Sequence, residues 1–347
     1  MKMPQTSPFW YLGCALLCVL TVLALFVLQH LFNDYILRIV CNIFIFMILA
    51  VSYNLINGVT GQLSLEPNGF VAVGAYVTAI LLLTSKAKLD MYEMAAPSPV
   101  ILALHTSFLP ALIIGGLCAS VLAVCLSFPV FRVRGDYLAI VTLGFGFIIK
   151  IFAINNPQVT NGAIGINNIP QAGNMLYWCG LFALAAILFI LQLVFSKFGR
   201  AMRAVRDDED AATAMGINTF RVKTYAFATS AFFEGVGGGL LASLLTIISP
   251  DLFDFMLTFQ LLIIIVLGGL GSTTGAILGT IVVVGSGEWL RFLDQPMALF
   301  GYDLGTHPGL RMVVFSLVLL VIMLFAREGL LGKREVWEIG RGRKNGN

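Results

Sequence analysis

The chain has 347 residues, 59% of them hydrophobic and 11% charged, with a net charge of +3. A soluble domain carries about 25% charged residues, so this composition cannot clothe a large water-facing protein and leaves the lipid bilayer as the solvent. The net charge is too small to point to nucleic acid, and its placement matters more than its sum.

Taken in chain order, apolar runs punctuated by polar or Gly/Pro clusters predict ten crossings. They fall at roughly 9–29, 34–57, 69–85, 108–130, 137–154, 175–196, 224–249, 256–270, 274–293 and 308–326. Each is expected to be helical, because hydrocarbon offers backbone N–H and C=O groups no partner outside the segment. The first run, Phe9 to Gln29, is long enough to span a core of about 30 Å and longer than a signal-peptide apolar region, so it reads as a retained span. The third and eighth runs are short and rich in nearby Gly, Pro and Asn, which predicts broken or re-entrant helices.

Between the second and third runs lies "NLINGVTGQLSLEPNGF", residues 54–70. Polar side chains and bare backbone at membrane depth are what a path for a polar solute needs, and half-helix N-termini can face a carboxylate. The residues that fit are Asn54, Gly61, Gln62, Ser64, Asn68 and Gly69, with Asn57 and Thr60 beside them. The same stretch also reads as a tight cytoplasmic turn. The loop 86–107 carries Lys86 and Lys88, and the loop 155–174 carries no charge; both are expected outside. The loop "FRVRGDY" adds Arg132 and Arg134 on the cytoplasmic side.

Residues 197–223 hold Lys197, Arg200, Arg203, Arg206, Arg221 and Lys223, and the tail after 326 holds Arg327, Lys333, Arg334, Arg341, Arg343 and Lys344. Ten crossings put all these segments in the cytoplasm together with both termini, as the distribution of Lys and Arg requires. Five spans before the 155–174 loop and five after it give halves of opposite topology, an arrangement common in transporters. Within the charged loop, Asp207 or Asp208 is placed to cap a short helix. Glu209 and Asp210 suit its first turn, Ala211 and Ala212 are good helix formers, and Gly216 ends it. Such a helix reads either as a docking element or as an ordinary solvated loop.

Glu234 lies about ten residues into the seventh run. A carboxylate at that depth is costly and is usually functional or paired; it serves either the transport path or a hydrogen bond between helices. Arg38, Lys150, Glu288, Arg291 and Arg311 lie near span ends, where snorkelling explains them. The six cysteines sit inside apolar stretches and read as packing residues, the three histidines lack ligand spacing, and neither a metal nor a cofactor is expected. No G-x-x-x-x-G-K-[ST] occurs, so ATP hydrolysis would have to come from another subunit.

The segment Asp210-Ala211-Ala212-(three residues)-Gly216 resembles the Glu-Ala-Ala-x-x-x-Gly loop of ABC importer permeases, with Asp in place of Glu. "GQLSLEPNGFVAVGAY" (61–76), "RGDYLAIVTLGFG" (134–146), "GRAMRAVRDDEDAATAMGIN" (199–218), "ISPDLF" (248–253) and "VLGGLGSTTGAILG" (266–279) follow in the order found in LivM-type permeases of the high-affinity branched-chain amino acid importers. The likeness runs from about residue 34 to 332. Glu66-Pro67 stands where that family often has Gly-His, Phe147 where it often has Glu, and the insert 86–105 is long. The resemblance implies an all-α polytopic membrane protein of about ten transmembrane helices in two inverted five-helix halves. It makes the chain, 1–347, one transmembrane permease domain: 9–196 as the first half with span six, 197–223 as the coupling loop, 224–326 as the remaining spans, and 327–347 as the tail.

The resemblance further implies a non-catalytic subunit of a bacterial inner-membrane importer for branched-chain or other hydrophobic amino acids. Its partners would be a second related permease, two ATP-binding subunits, a periplasmic solute-binding protein and membrane lipid, with no nucleic acid. Arg203, Arg206, Asp207, Asp208, Asp210, Ala211, Ala212 and Gly216 would couple to the ATPase. Asn54, Gly61, Gln62, Ser64, Asn68, Gly69 and Glu234 would line the path. A urea or amide permease of the same kind, or an ion-coupled carrier, is the alternative.

Overall fold

A computed structural model describes residues 21–290 apart from 22, 24, 93–95, 134 and 136; beyond these it describes only 298–299, 302–303, 313–314, 316–317, 320, 324, 329–332 and 335. Most of the first and last expected spans, the tail cations named above, and Arg134 therefore lie outside the described residues. Those described are helical, apart from loops and a two-residue antiparallel pairing of Ala298–Leu299 with Tyr302–Asp303.

Five helices are long and apolar enough to cross a membrane. They are α1 (Asp34–Asn54, extended by a π-turn Leu55–Val59), α5 (Phe108–Val130), α6 (Tyr137–Asn155), α8 (Met175–Phe195) and α11 (Thr219–Leu245). Two pairs are bent instead. Helix α2 (Pro67–Leu82) turns by 115° into α3 (Ser85–Met91), and α12 (Phe255–Gly268) turns by 119° into α13 (Thr273–Trp289). Counting each bent pair as one span gives up to seven among the described residues. The eighth and ninth expected spans correspond to α12 and α13, which meet at a bend of 119°. The 14 residues of α12 rise only about 21 Å at 1.5 Å each, short of a hydrocarbon core of about 30 Å.

Short helices α4 (Pro99–Ala103) and α7 (Pro157–Thr160) sit in the two loops expected outside, and α9 (Lys197–Asp207) and α10 (Glu209–Ala214) in the charged loop. The loops at 156–174 and 246–249 are tied by reciprocal Ile166–Ile248 backbone hydrogen bonds, 2.9 Å each. Lys150 does more than snorkel: its ammonium reaches Asp251 at 3.0 Å and Asp254 at 3.7 Å, fastening α6 to the turn before α12.

Helices α2, α5 and α11 form the tightest unit. A Cβ on Gly74 of α2 would lie 2.0 Å from the carbonyl oxygen of Gly235, and one on Gly235 would lie 2.8 Å from Cβ of Ala119 on α5. Only glycine permits this approach, which replaces the hydrophobic drive that lipid does not supply between helices. Helix α1 packs on α11, α8 and α13. Outward, α5 exposes Leu117, Val121, Val124 and Phe128, and α6 exposes Ile140, Ile148, Ile151 and Phe152, surfaces suited to lipid.

Candidate functional site

The site begins where α1 loses its regular pitch. Asn54, Asn57 and Gly58 are poor helix formers, and the helix widens: Thr60 N–H donates to Leu55 O at 3.1 Å, five residues back. Such single π-turns recur at functional positions. The chain turns at Gly61, whose φ is +71°, and runs without regular structure to Glu66 before α2 starts at Pro67. Asn57 holds this return stretch, its Oδ1 accepting from Ser64 N–H at 2.9 Å, while the Tyr53 hydroxyl donates to Ser64 O at 2.7 Å.

The second break, between α12 and α13, meets the first. A Cβ on Gly58 would lie 2.2 Å from the Gly271 nitrogen, so the two chains cross backbone to backbone. Asn54 staples the crossing. Its Oδ1 accepts from Gly271 N–H at 2.9 Å, and its Nδ2 donates to Ser272 O at 3.1 Å. With 1% exposure, this amide satisfies two backbone groups that the broken helix leaves open. Asn54, one of the expected path residues, holds two helix breaks together.

The C-terminal segment closes the same break from its other side. Leu330 and Leu331 N–H donate to Leu267 and Gly268 O at 2.8 and 3.2 Å, capping the end of α12. The Glu335 carboxylate accepts from Thr273 N–H at 2.9 Å and Thr274 N–H at 3.0 Å, at the positive start of α13. Gly58, Gly271, Ser272 and Glu335 were not singled out by sequence. The Gly58–Gly61 and Gly268–Gly271 clusters were the available signal in the sequence.

Arg206 joins the crossing to the charged loop. Its guanidinium donates to Gly58 O at 3.2 Å and pairs with Asp207 at 3.3 Å, and its Cγ would be 2.3 Å from a Cβ on Gly61. Its Nη1 also lies 3.2 Å from the site of a Cβ on Gly271. One side chain of α9 therefore touches both broken segments. Arg203 faces elsewhere, donating to Val194 O at 3.2 Å at the end of α8.

Asp208, rather than Asp207, caps α10, its Oδ1 accepting from Asp210 and Ala211 N–H at 2.9 and 3.0 Å. At the other end Gly216 has φ +84°, and the N–H groups of Gly216 and Ile217 donate to Thr213 and Ala212 O at 2.9 and 3.0 Å. That closure needs a left-handed residue after the cap. Ala212 packs inward at 4% exposure, whereas Asp210, Ala211, Met215 and Gly216 are exposed. Glu209 ties α10 to α11 through Lys223 at 2.7 Å.

The remaining expected path residues divide. Gly61 is exposed and Gln62 half-buried, at the turn beneath Arg206. Ser64, Asn68, Gly69 and Glu234 are buried. Asn68 is fixed by Thr258, whose hydroxyl accepts its N–H at 3.3 Å, and by Phe253 O, which accepts from its Nδ2 at 3.3 Å. Gly69 packs on the Phe145 ring of α6. Glu234 is fully enclosed, accepting one hydrogen bond from Ser230 at 2.8 Å. Glu66 is equally enclosed. Lys88, on α3, is buried and donates to Ile101 O at 2.7 Å.

Comparison with known proteins bears on what this arrangement serves. Residues 35–326 match the family described as branched-chain amino acid transport system / permease component. The high-affinity branched-chain amino acid transport system permease protein LivM of Escherichia coli (strain K12) is 34% identical over 291 residues, covering 74% of this chain and 64% of that protein. The chain thus spans somewhat less than two thirds of that relative's length. The permease protein LivH of Salmonella typhimurium is 25% identical over 333 residues, covering 91% of this chain and 98% of that protein. A probable LivM of Methanocaldococcus jannaschii is 24% identical over 299 residues, covering 77% and 83%. No solved structure matches. On the match of 35–326, the chain belongs to the branched-chain amino acid transport system permease family.

Proposed function

We propose that the chain is a membrane-spanning permease subunit of an ATP-driven importer in a bacterial cytoplasmic membrane, carrying branched-chain or similar hydrophobic amino acids. In this reading the described bundle belongs to one permease domain of about ten spans in two inverted halves, with both termini cytoplasmic. A second permease, homologous in the manner of LivM and LivH, completes the pathway. Two ATP-binding subunits drive it, and a periplasmic binding protein supplies the solute. No covalent chemistry is required of this chain, which carries no phosphate-binding loop.

The observation that carries the reading is the Arg206 contact. Helices α9 and α10 present Asp210, Ala211, Met215 and Gly216 to the cytoplasm, the surface on which an ATPase subunit would seat. Arg206, at the end of α9, touches Gly58 and Gly61 at the first break and Gly271 at the second. Movement of the loop would therefore be delivered to the place where two broken segments cross. Such a crossing can rearrange without unfolding a continuous helix, because its hydrogen bonds are already interrupted. The test is reconstitution. Proteoliposomes holding both permeases, the ATPases and the binding protein should accumulate L-leucine against its gradient only with ATP, and this chain alone should not. Uphill uptake by the chain alone overturns the proposal.

A further inference from the structure

We propose that residues 329–332 with Glu335 form a releasable latch on the bend between α12 and α13, and that Glu335 is the positioning residue whose release frees it. The inference rests on the importer reading above. Helices α12 and α13 lie against one another through glycine. A Cβ on Gly268 would lie 2.1 Å from Gly275 O, and one on Gly279 would lie 2.3 Å from Ile264 O. Along this seam backbone meets backbone, and glycine removes the side chains that would interlock at these points and oppose sliding. What fixes the bend lies outside the seam.

Two groups of contacts do so. The turn itself is held from the side of α1 and α9, by Asn54 on Gly271 and Ser272 and by Arg206 beside Gly271. The residues flanking the turn are held by the C-terminal segment. Leu330 and Leu331 N–H donate to Leu267 and Gly268 O at the end of α12, and Glu335 accepts from Thr273 and Thr274 N–H at the start of α13. Gly332 seats against Gly269 so closely that a Cβ on Gly269 would lie 2.4 Å from Gly332 O. One short segment is thus bonded to both helices at once. While both sets of bonds stand, the two helix ends keep one relative position; to change the angle, one set has to break. The sets are unequal. The α12 side is a pair of backbone bonds on a glycine seat, which no side-chain motion undoes. The α13 side rests on one carboxylate at the positive start of a 17-residue helix, and rotation of that side chain releases it. At 5% exposure, and accepting from Ser272 Oγ at 3.4 Å as well, the carboxylate holds the latch closed in this arrangement. In the importer reading the segment faces the cytoplasm, where a released carboxylate is hydrated rather than stranded in hydrocarbon. Force arriving through Arg206 on one side of the turn is resisted on the other until Glu335 lets go, which keeps the bend from moving before the charged loop does.

The test uses the full complex of both permeases, the ATPases and the binding protein in proteoliposomes, with this chain's native cysteines replaced by Ala. In Thr274→Cys/Glu335→Cys, oxidation with copper phenanthroline should join the two positions in the resting complex. L-leucine uptake should then be lost, and dithiothreitol should restore it. A merely structural staple would tolerate the cross-link. Glu335→Gln, which keeps the shape and one acceptor oxygen but removes the charge, should raise ATP hydrolysis in the absence of the binding protein by about fivefold or more, the low end of a coupling between sites. Glu335→Ala should raise it further; if that variant is not monodisperse, Glu335→Gln carries the test. A cysteine pair that fails to join in the resting complex overturns the latch. So does a joined complex that imports as the reduced one does, or a Glu335→Gln complex that hydrolyses ATP at the wild-type rate without the binding protein. Failure of the wild type to import any amino acid sinks the importer reading, whereas import by the wild type that the cross-link leaves unchanged sinks only the latch.

Discussion

At the residue scale the structure gives Asn54 two long-range backbone partners. Its sequence context, a polar amide at the end of an apolar run, fits a path-lining group equally well. The staple it makes depends on partners more than two hundred residues away, Gly271 and Ser272, and nothing local encodes that contact. Replacing Asn54 by Ala leaves a buried N–H and a buried C=O open, each costing about 1–3 kcal/mol. The variant should unfold at a clearly lower temperature in detergent; an unchanged midpoint would show that the staple carries no stability. Asp208 and Gly216 were more legible, because capping and left-handed closure depend on neighbours in sequence. The choice of Asp208 over Asp207 is settled by which side chain reaches back to the N–H groups of Asp210 and Ala211.

At the scale of elements, unbroken spans such as α5 and α8 are readable from apolar length alone. The breaks were legible as glycine-rich punctuation, but not their geometry. The sequence reading has 256–270 and 274–293 as two runs, and Gly269 (φ +117°) and Gly271 (φ +90°) sit at the 119° bend between them. The Gly235–Gly239 run is glycine-rich in the sequence and so suits close helix packing, but its partners on α2 and α5 cannot be read from it. Because Gly235 sits against Gly74 and Ala119, Gly235→Leu has to force apart the backbones of α2, α5 and α11, beyond the 1–3 kcal/mol typical of an overpacked side chain. The variant should fail to yield a monodisperse peak on size exclusion. A well-behaved, active Gly235→Leu protein would contradict the packing described.

At the scale of the whole molecule, the account requires a fixed sidedness: α9 and α10 inside, the loop at 156–174 outside. A cysteine at exposed Gln171 should react with an impermeant maleimide added to intact cells, and one at exposed Asp210 only after the membrane is opened; the reverse labelling would invert the topology. Lys and Arg placement is the basis of that expected sidedness. The contact joining the charged loop to the two helix breaks was not legible in the sequence, because it depends on Arg206 finding the carbonyl of Gly58 across 148 positions of sequence.

That contact is the central claim, and Arg206→Ala in the reconstituted complex tests it directly. Simultaneous measurement of ATP hydrolysis and L-leucine uptake should show hydrolysis largely retained while uptake per ATP falls by about 5–150-fold, the range of a coupling worth 1–3 kcal/mol. Uptake per ATP equal to wild type would contradict the account.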